Sequence, residues 1–357
     1  MISFRPLTSR LARRLTRTEL KDCAVEMVEL SPPSHRYRPP AISLPGEIDR
    51  ALAFIDLVPE KVRAHMTEGE ELHPATTAMR LADAVLADGC VYMRSAVSVI
   101  TAEKKRAILA GPEEGVAEAQ LCSTSLGSQY FGDWLMMDMP LELLAAQRRI
   151  PSIALTNRTY GHEPEYRSKL SLAPPPRPAS ILRAESLWIV DDNGMTEDRV
   201  ARYEALRRRV RQPDSGGPER VFLDRGGKWG AHRQPVNYRE IVDALLSRGF
   251  TPVRPEEMTV EEISIALSSA RICIGVEGSA LAHATMMMPP GACLLVLMPP
   301  FRVIDAIKWF ADAVGLRYGF VIGDAGAAGT EEFSIDLRRL NATLDLVERA
   351  DGATASR

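Results

Sequence analysis

The sequence that decides the fold lies in residues 271–283, which read Arg271-Ile272-Cys273-Ile274-Gly275-Val276-Glu277-Gly278-Ser279-Ala280-Leu281-Ala282-His283. Its first half predicts a short buried strand, and after a tight turn its last residues predict the start of a helix. We expect Ser279 to cap this helix and Gly278 to let a ligand approach the backbone closely. Unpaired N–H groups at the start of a helix attract an anion, and a phosphate is the anion that this turn favours.

Regularly alternating strand and helix patterns surround this stretch. Apolar strands are predicted at 220–224, 251–254, 272–276, 292–298 and 316–322, with helices at 238–248, 259–270, from 279 onward and at 301–314. Such alternation predicts an α/β fold with a parallel sheet and helices on both of its faces. Ligands of these sheets bind at the carboxyl ends of the strands, where the strand order reverses.

Two helix starts in this half carry capping-box patterns. Asn237 with Glu240, and Thr259 with Glu262, each place a capping side chain three residues before a glutamate. Gly249 is expected to end the first of these helices, because glycine adopts the left-handed conformation at little cost.

The N-terminal half is less regular, and we interpret it as a second α/β domain. Helices are predicted at 75–87 and 135–148, and strands at 91–100 and 186–190.

Proline- and glycine-rich stretches set the predicted domain boundaries. The predicted organisation is a basic N-terminal segment and linker at 1–46, an N-terminal α/β domain at 47–212 and a C-terminal Rossmann-like domain at 213–357. The last helix is predicted to pack back on the N-terminal domain.

The composition suits a two-domain protein of a reducing compartment. A chain of 357 residues with 45% hydrophobic content can bury two cores. The net charge of -3 argues against a general nucleic-acid binder. Five widely spaced cysteines indicate neither a disulfide framework nor a zinc site. Because we find neither a membrane-spanning apolar run nor a signal peptide, we expect a cytoplasmic protein.

The N-terminus is strongly basic. The first 21 residues hold five arginines and one lysine against a single acid, Glu19. The interpretation that we favour is a solvated, frayed terminus. The alternative is a segment that contacts an anionic membrane surface, which would make the protein peripheral to the inner face of the membrane.

A cationic, glycine-rich loop follows the first predicted strand of the C-terminal half. It reads Asp224-Arg225-Gly226-Gly227-Lys228-Trp229-Gly230-Ala231-His232-Arg233. Arg225 offers a planar fork that suits a diphosphate, and Lys228 and Arg233 add positive charge. Taken alone the loop is a basic surface loop, but its position after a strand makes it a candidate diphosphate site.

Residues 129–140 are distinctive in the N-terminal half. They read Gln129-Tyr130-Phe131-Gly132-Asp133-Trp134-Leu135-Met136-Met137-Asp138-Met139-Pro140. Asp133 has the chemistry of a general base and Trp134 that of a platform for a sugar ring. Alternatively, Asp133 caps the following helix and Trp134 packs in the core. The sequence does not decide between these two roles for Asp133. For Trp134 it favours packing in the core.

Together these segments resemble glycosyltransferase family 61 over roughly residues 120–325. The matching positions are Arg225, Arg233, Asn237, Gly249-Phe250, Pro255-Glu256, 277–283 and 294–299, and upstream 130–140. The resemblance implies two Rossmann-like domains facing a cleft, the GT-B arrangement. It also implies an inverting, metal-independent transfer from a nucleotide-sugar donor to a saccharide acceptor, in bacterial capsular or other surface polysaccharide biosynthesis.

The resemblance also implies a donor site in the C-terminal domain. Arg225 and Arg233 would hold the donor diphosphate, and the turn at Gly278 and Ser279 would cradle it. The remaining predicted donor-binding residues are Lys228, Asn237, Ala280 and His283.

On the acceptor side, Tyr130 and Trp134 are the predicted contacts. Asp133 is the predicted catalytic base, and it stands where the family has a histidine. Glu277 is the second candidate and also replaces a family histidine; donor hydroxyl groups are its alternative partners.

No metal or other cofactor is predicted. Glycosyltransferases that hold a metal-bound diphosphate generally use Asp-x-Asp, and no two aspartates of this chain are separated by one residue. Arginine, lysine and helix-dipole charge would take the place of the cation. Two other classes stay open: a non-catalytic glycan- or nucleotide-binding relative, and another polysaccharide enzyme, such as a pyruvyl transferase or a sugar epimerase.

Overall fold

A computed structural model of the chain describes residues 4–54, 59–101, 113–156, 158–175, 181–213, 216–225, 234–327 and 329–355. The strands are β1 (Ala24–Ser31), β2 (Ser34–Arg38), β3 (Gly69–His73), β4 (Thr76–Ala87), β5 (Cys90–Tyr92), β6 (Val97–Val99), β7 (Glu113–Leu121), β8 (Ser152–Ile153), β9 (Ile181–Asp191), β10 (Arg220–Leu223), β11 (Thr251–Val253), β12 (Ile272–Val276), β13 (Cys293–Met298), β14 (Arg317–Ile322), β15 (Asp324–Ala325) and β16 (Phe333–Ser334). The helices are α1 (Arg5–Thr16), α2 (Glu47–Leu52), α3 (Pro59–Met66), α4 (Phe131–Asp133), α5 (Met139–Arg148), α6 (Glu163–Leu170), α7 (Glu197–Val210), α8 (Tyr238–Ser247), α9 (Val260–Ser268), α10 (Leu281–Met287), α11 (Ala306–Ala313) and α12 (Leu337–Ala355).

These elements form two compact units, and the predicted α/β class is confirmed. The first unit comprises Met1–Ser34 and Leu72–Tyr203, and the second comprises His35–Glu71 and Glu204–Arg357. The last boundary between the units, after Tyr203, falls within α7.

The second unit contains a five-stranded parallel sheet in the order β11-β10-β12-β13-β14. Every residue of β12 and β13 is buried, as expected for parallel strands covered on both faces. The chain leaves β10 toward β11 on one side and later continues from β12 to β14 on the other. The strand order therefore reverses between β10 and β12, where ligands of such sheets bind.

Residues 35–71 belong to the second unit, although the sequence analysis divides them between a linker and the N-terminal domain. Ile42 pairs with Gly319 at the edge of β14, with its N–H 2.8 Å from the carbonyl oxygen of Tyr318. The buried carboxylate of Glu47 accepts hydrogen bonds from the backbone of Ile322 (2.8 Å) and from Arg339 (3.0 Å). A proline-rich composition does not reveal such long-range pairing.

The last helix, α12, packs within the second unit. Leu340, Leu344 and Val347 lie in the same buried cluster as Phe222 of β10 and Leu295 of β13. The predicted packing of the last helix on the N-terminal domain stays a prediction.

The first unit contains a mixed, mainly antiparallel sheet in the order β6-β5-β4-β9-β7-β8, with β1 also paired to β4. Strand β4 runs antiparallel to β1, β5 and β9, whereas β7 is parallel to β8 and β9. This sheet lacks the all-parallel order of a Rossmann-like domain, so the structure supports only one such domain.

The helix predicted at 75–87 is wrong, because these residues form strand β4. Alanine and leucine favour a helix locally, but here tertiary pairing overrides propensity. Strand β4 pairs along most of its length with β9, and Leu81, Ala84 and Leu86 are buried in the core of the first unit.

The predicted frayed N-terminus is also wrong, since residues 5–16 form helix α1. The helix predicted at 135–148 is confirmed, although its first turn, Trp134–Asp138, is π-helical.

Candidate active site

The first of two predicted sites lies at the carboxyl edge of the parallel sheet. Strand β10 ends at Leu223, and the next residue, Asp224, is buried. Its carboxylate accepts hydrogen bonds from the Tyr238 hydroxyl and from Nε of Arg254 (2.7 Å), which follows β11. Burial and the Asp224 carboxylate raise the pKa of Tyr238 well above its usual value. Asp224 thus ties two neighbouring strand ends to the start of α8.

Arg225 reaches across the point where the strand order reverses. Its Nη1 donates to the carbonyl oxygen of Glu277, 3.1 Å away, at the end of β12. Gly278 has φ +150°, and a Cβ built there would lie 2.8 Å from Nη2 of Arg225. The close approach of this guanidinium to the backbone therefore requires glycine at position 278.

Glu277 anchors a third arginine at this edge. Its carboxylate is buried and accepts a hydrogen bond of 2.9 Å from Nε of Arg302, which follows β13. The structure thus brings together Arg225, Arg254 and Arg302, each after a different strand, and fixes them on groups at the ends of β10 and β12. Sequence reasoning selected only Arg225 among these three arginines and missed Asp224 as an anchor.

The turn after β12 differs from the prediction. Helix α10 has Ala280 as its N-cap residue and no capping side chain, so Ser279 does not cap it. Backbone bonds close the turn instead, from the N–H of Leu281 to the carbonyl oxygen of Gly278 (3.0 Å). Ser279 and Ala280 are half-buried beside Gly278, whereas His283 is buried in α10, away from solvent.

Three further donor-binding residues are predicted, and only Asn237 of these is described. Lys228 and Arg233 lie outside the described residues. The side chain of Asn237 donates to the carbonyl oxygen of Ile335 (2.8 Å) and accepts from its N–H (3.1 Å). It makes no capping hydrogen bond to α8, so the predicted capping box is wrong for Asn237. Its contact with the donor stays a prediction.

The second predicted site lies in the first unit, around the π-helical turn. Asp133 is half-buried in the first helical turn, and its side chain makes no capping hydrogen bond. Tyr130 is half-buried just before it. π-helical turns occur frequently at functional sites. Because the Asp133 side chain makes no capping hydrogen bond, the alternative in which it caps the helix is excluded. Its role as a base stays a prediction.

Trp134 packs in the core. It is 3% exposed, and its ring centroid lies 5.9 Å from that of Phe131 and 5.8 Å from that of Tyr160. The guanidinium of Arg167 lies 5.6 Å from the ring centre. Because these neighbours cover the ring, its burial favours the core alternative and does not fit stacking on a sugar.

The arginine next to Trp134 belongs to a buried ion network. Arg167 binds Glu142 through two hydrogen bonds of 2.7 and 3.0 Å and Glu163 through one of 2.8 Å. All three side chains are buried. Removing one partner would leave an uncompensated buried charge, so the network fixes α5, α6 and the tryptophan as one packed body.

A further carboxylate, Asp138, ends the π-helical turn. It is buried and accepts hydrogen bonds from the N–H (3.0 Å) and hydroxyl (2.8 Å) of Thr124. Burial raises the pKa of Asp138 well above its usual value, and the two Thr124 hydrogen bonds oppose this shift. Asp138 therefore orders the turn that begins at Thr124.

Two absences hold for the described residues. Among them, no three histidine, cysteine, aspartate or glutamate side chains come together as metal ligands. No described helix is both long enough and apolar enough to cross a membrane.

Comparison with known proteins adds one match. The family model described as Glycosyltransferase 61 matches residues 48–295. No curated protein matches the chain. The matched range contains the polar edge at β10 and β12 and the π-helical turn.

Proposed function

Because the chain belongs to glycosyltransferase family 61 and is a glycosyltransferase, we propose that it transfers a sugar from a nucleotide-sugar donor to a saccharide acceptor. The proposed reaction inverts the anomeric carbon, needs no metal and serves the synthesis of a surface polysaccharide. One observation carries this proposal: Arg225 lies against the backbone of Gly278 where the strand order reverses.

The donor diphosphate is proposed to bind at this edge of the second unit. Arg225 presents a guanidinium, whose planar fork forms paired hydrogen bonds to phosphate oxygens. The guanidinium is already fixed by the Glu277 carbonyl, so little side-chain entropy is lost when a ligand binds. Arg302 is paired with the Glu277 carboxylate, so it brings further N–H donors to this edge and no net charge.

These arginines would also stabilise the leaving group. As the bond between the anomeric carbon and the diphosphate oxygen breaks, negative charge develops on the diphosphate. Preorganised guanidinium groups stabilise such charge at no reorganisation cost. This contribution is what a divalent cation supplies in other transferases.

The acceptor side is assigned to the first unit, with Asp133 as the base. The Asp133 carboxylate takes the proton of the acceptor hydroxyl, whose oxygen attacks the anomeric carbon opposite the leaving diphosphate. Support comes from the half-buried position of Asp133 beside a π-helical turn and from the buried network that holds this segment. The GT-B arrangement and the cytoplasmic location stay predictions.

A thermal-shift screen with UDP, GDP, CMP and dTDP sugars tests donor binding. A ligand at about 100 times its dissociation constant stabilises the folded protein by about 2.7 kcal/mol. We expect one of the diphosphate series (UDP, GDP or dTDP) to raise the melting temperature, with the free nucleoside diphosphate reproducing most of the shift, and CMP sugars, which carry a single phosphate, to give none. No shift with any series, in a protein that unfolds cooperatively, would contradict the proposal.

A further inference from the structure

Helix α1 packs on its own unit through a polar face. Pro6 and Ser9 are buried there. Arg5 forms an ion pair with Asp83 of β4. Arg10 donates a hydrogen bond to the Tyr92 hydroxyl and lies 5.3 Å from the centre of its ring. An amphipathic surface helix ordinarily turns its apolar face toward the core, whereas this helix turns a polar face inward.

The opposite face of α1 is apolar and exposed. Phe4, Leu7, Leu11 and Leu15 are 58%, 38%, 52% and 86% exposed. At 3.6 residues per turn they form one stripe about 80° wide, roughly opposite Pro6 and Ser9. We call these four residues the leucine stripe. The described residues of the first unit leave these side chains largely exposed, and the helix is attached through Arg5 and Arg10.

The charge around the leucine stripe indicates its partner. Arg13, Arg14 and Arg17 at the end of α1 are exposed. Anionic lipid headgroups attract such residues, while the apolar side chains enter the boundary with the acyl chains. A second copy of the chain is disfavoured, because a symmetric contact through this face would bring the same arginines together.

We propose that α1 binds the surface of an anionic lipid bilayer. The leucine stripe inserts into the interfacial region, and Arg14, beside the stripe, and Arg17, at the end of the helix, contact the headgroups. This inference concerns the first unit only and does not depend on the donor site.

Co-sedimentation of the full chain with vesicles tests the proposal. We expect binding to vesicles that contain phosphatidylglycerol, weak binding to phosphatidylcholine alone, and a decrease in binding as salt is raised. Each of Leu11→Ser and Leu15→Ser should lower the partition coefficient about tenfold, because each removes an inserted apolar side chain. Arg14→Ser should lower it about fivefold.

Leu246→Ser is the matched control, because Leu246 is 48% exposed on α8 in the second unit. This variant should bind vesicles like the unchanged protein, and all variants should keep their circular dichroism spectrum and melting temperature. The proposal is overturned if the unchanged protein stays in the supernatant, or if folded stripe variants bind as well as it does. A dimer in the absence of lipid that Leu11→Ser abolishes would also overturn it, in favour of a second copy.

Discussion

The polar edge of the second unit and the π-helical turn of the first unit use charge in opposite ways. At the edge, buried carboxylates of Asp224 and Glu277 hold arginines that follow separate strands. At the turn, the arginine is itself buried: Arg167 lies between Glu142 and Glu163, next to the ring of Trp134. The arginines at the edge are partly exposed to solvent, whereas the arginine at the turn is buried between its partners.

This difference separates two tasks within one chain. Loops at strand ends keep side chains accessible, and a rigid sheet fixes their spacing. In a helical segment that is packed through aromatic rings, few side chains stay accessible. Substitutions at the edge should therefore change ligand affinity, and substitutions in the π-helical segment should change stability. Asp133 is the exception.

Trp134→Ala has the largest expected effect on stability. It removes a buried aromatic ring, so the free energy of unfolding should fall by about 3–5 kcal/mol, as measured by urea denaturation. Trp309→Ala, at a half-buried tryptophan of the second unit, is the matched control and should cost less. An intact Trp134→Ala protein that loses only acceptor affinity would show that the ring faces a ligand and not the core.

Asp133→Asn should separate catalysis from packing within the same segment. If Asp133 is the base, turnover should fall about 100-fold or more, while donor affinity and melting temperature stay close to those of the unchanged protein. Transfer rates in single-turnover assays measure this effect. Turnover within a few-fold of the unchanged enzyme would remove Asp133 from the chemistry.

Gly278→Ala tests the contact that defines the edge. The new methyl group would lie 2.8 Å from Nη2 of Arg225, so the guanidinium must move. We expect nucleotide affinity to fall about tenfold, which corresponds to about 1.4 kcal/mol. Gly115→Ala is the control, because its added carbon meets nothing within 4 Å. Equal nucleotide affinity for both variants would argue against a ligand at this edge.

Asp138→Asn has the smallest expected effect, and it depends on pH. Burial raises the pKa of Asp138 in the folded state above its unfolded value. The stability that this carboxyl contributes is thus fully present below the unfolded pKa and is lost as pH rises through the folded pKa. An asparagine oxygen can still accept both Thr124 hydrogen bonds.

The free energy of unfolding of the asparagine variant should therefore rise relative to that of the unchanged protein as pH rises from acid to neutral. Urea denaturation at several pH values measures this difference. A gap that stays constant with pH would show that Asp138 does not titrate over this interval.

The parallel sheet could be predicted from the sequence because its information is local. The strand at 292–298 is an unbroken apolar run, and it forms β13 as expected. The Thr259–Glu262 capping box is present with both of its hydrogen bonds. Gly249 ends α8 with φ +78°, as predicted.

The sequence-based predictions that were wrong or incomplete concern residues whose partners lie far away in the chain. Asn237 has the same local pattern as Thr259, yet its amide binds Ile335, almost 100 residues away. Arg302 lies in a stretch that reads as a helix, so nothing local indicates its ion pair with Glu277. Strand β4 has helical composition and is defined by its neighbours in the sheet.

The central claim is that Arg225 binds the donor diphosphate, and calorimetry of the Arg225→Ala protein tests it most directly. The titrant is the nucleoside diphosphate that gives the largest thermal shift, and Arg338→Ala, at an exposed arginine of α12, is the control. We predict that Arg225→Ala weakens binding at least about tenfold, because it removes charge-assisted hydrogen bonds, and that Arg338→Ala leaves binding unchanged. Unchanged affinity in a folded Arg225→Ala protein would contradict the account.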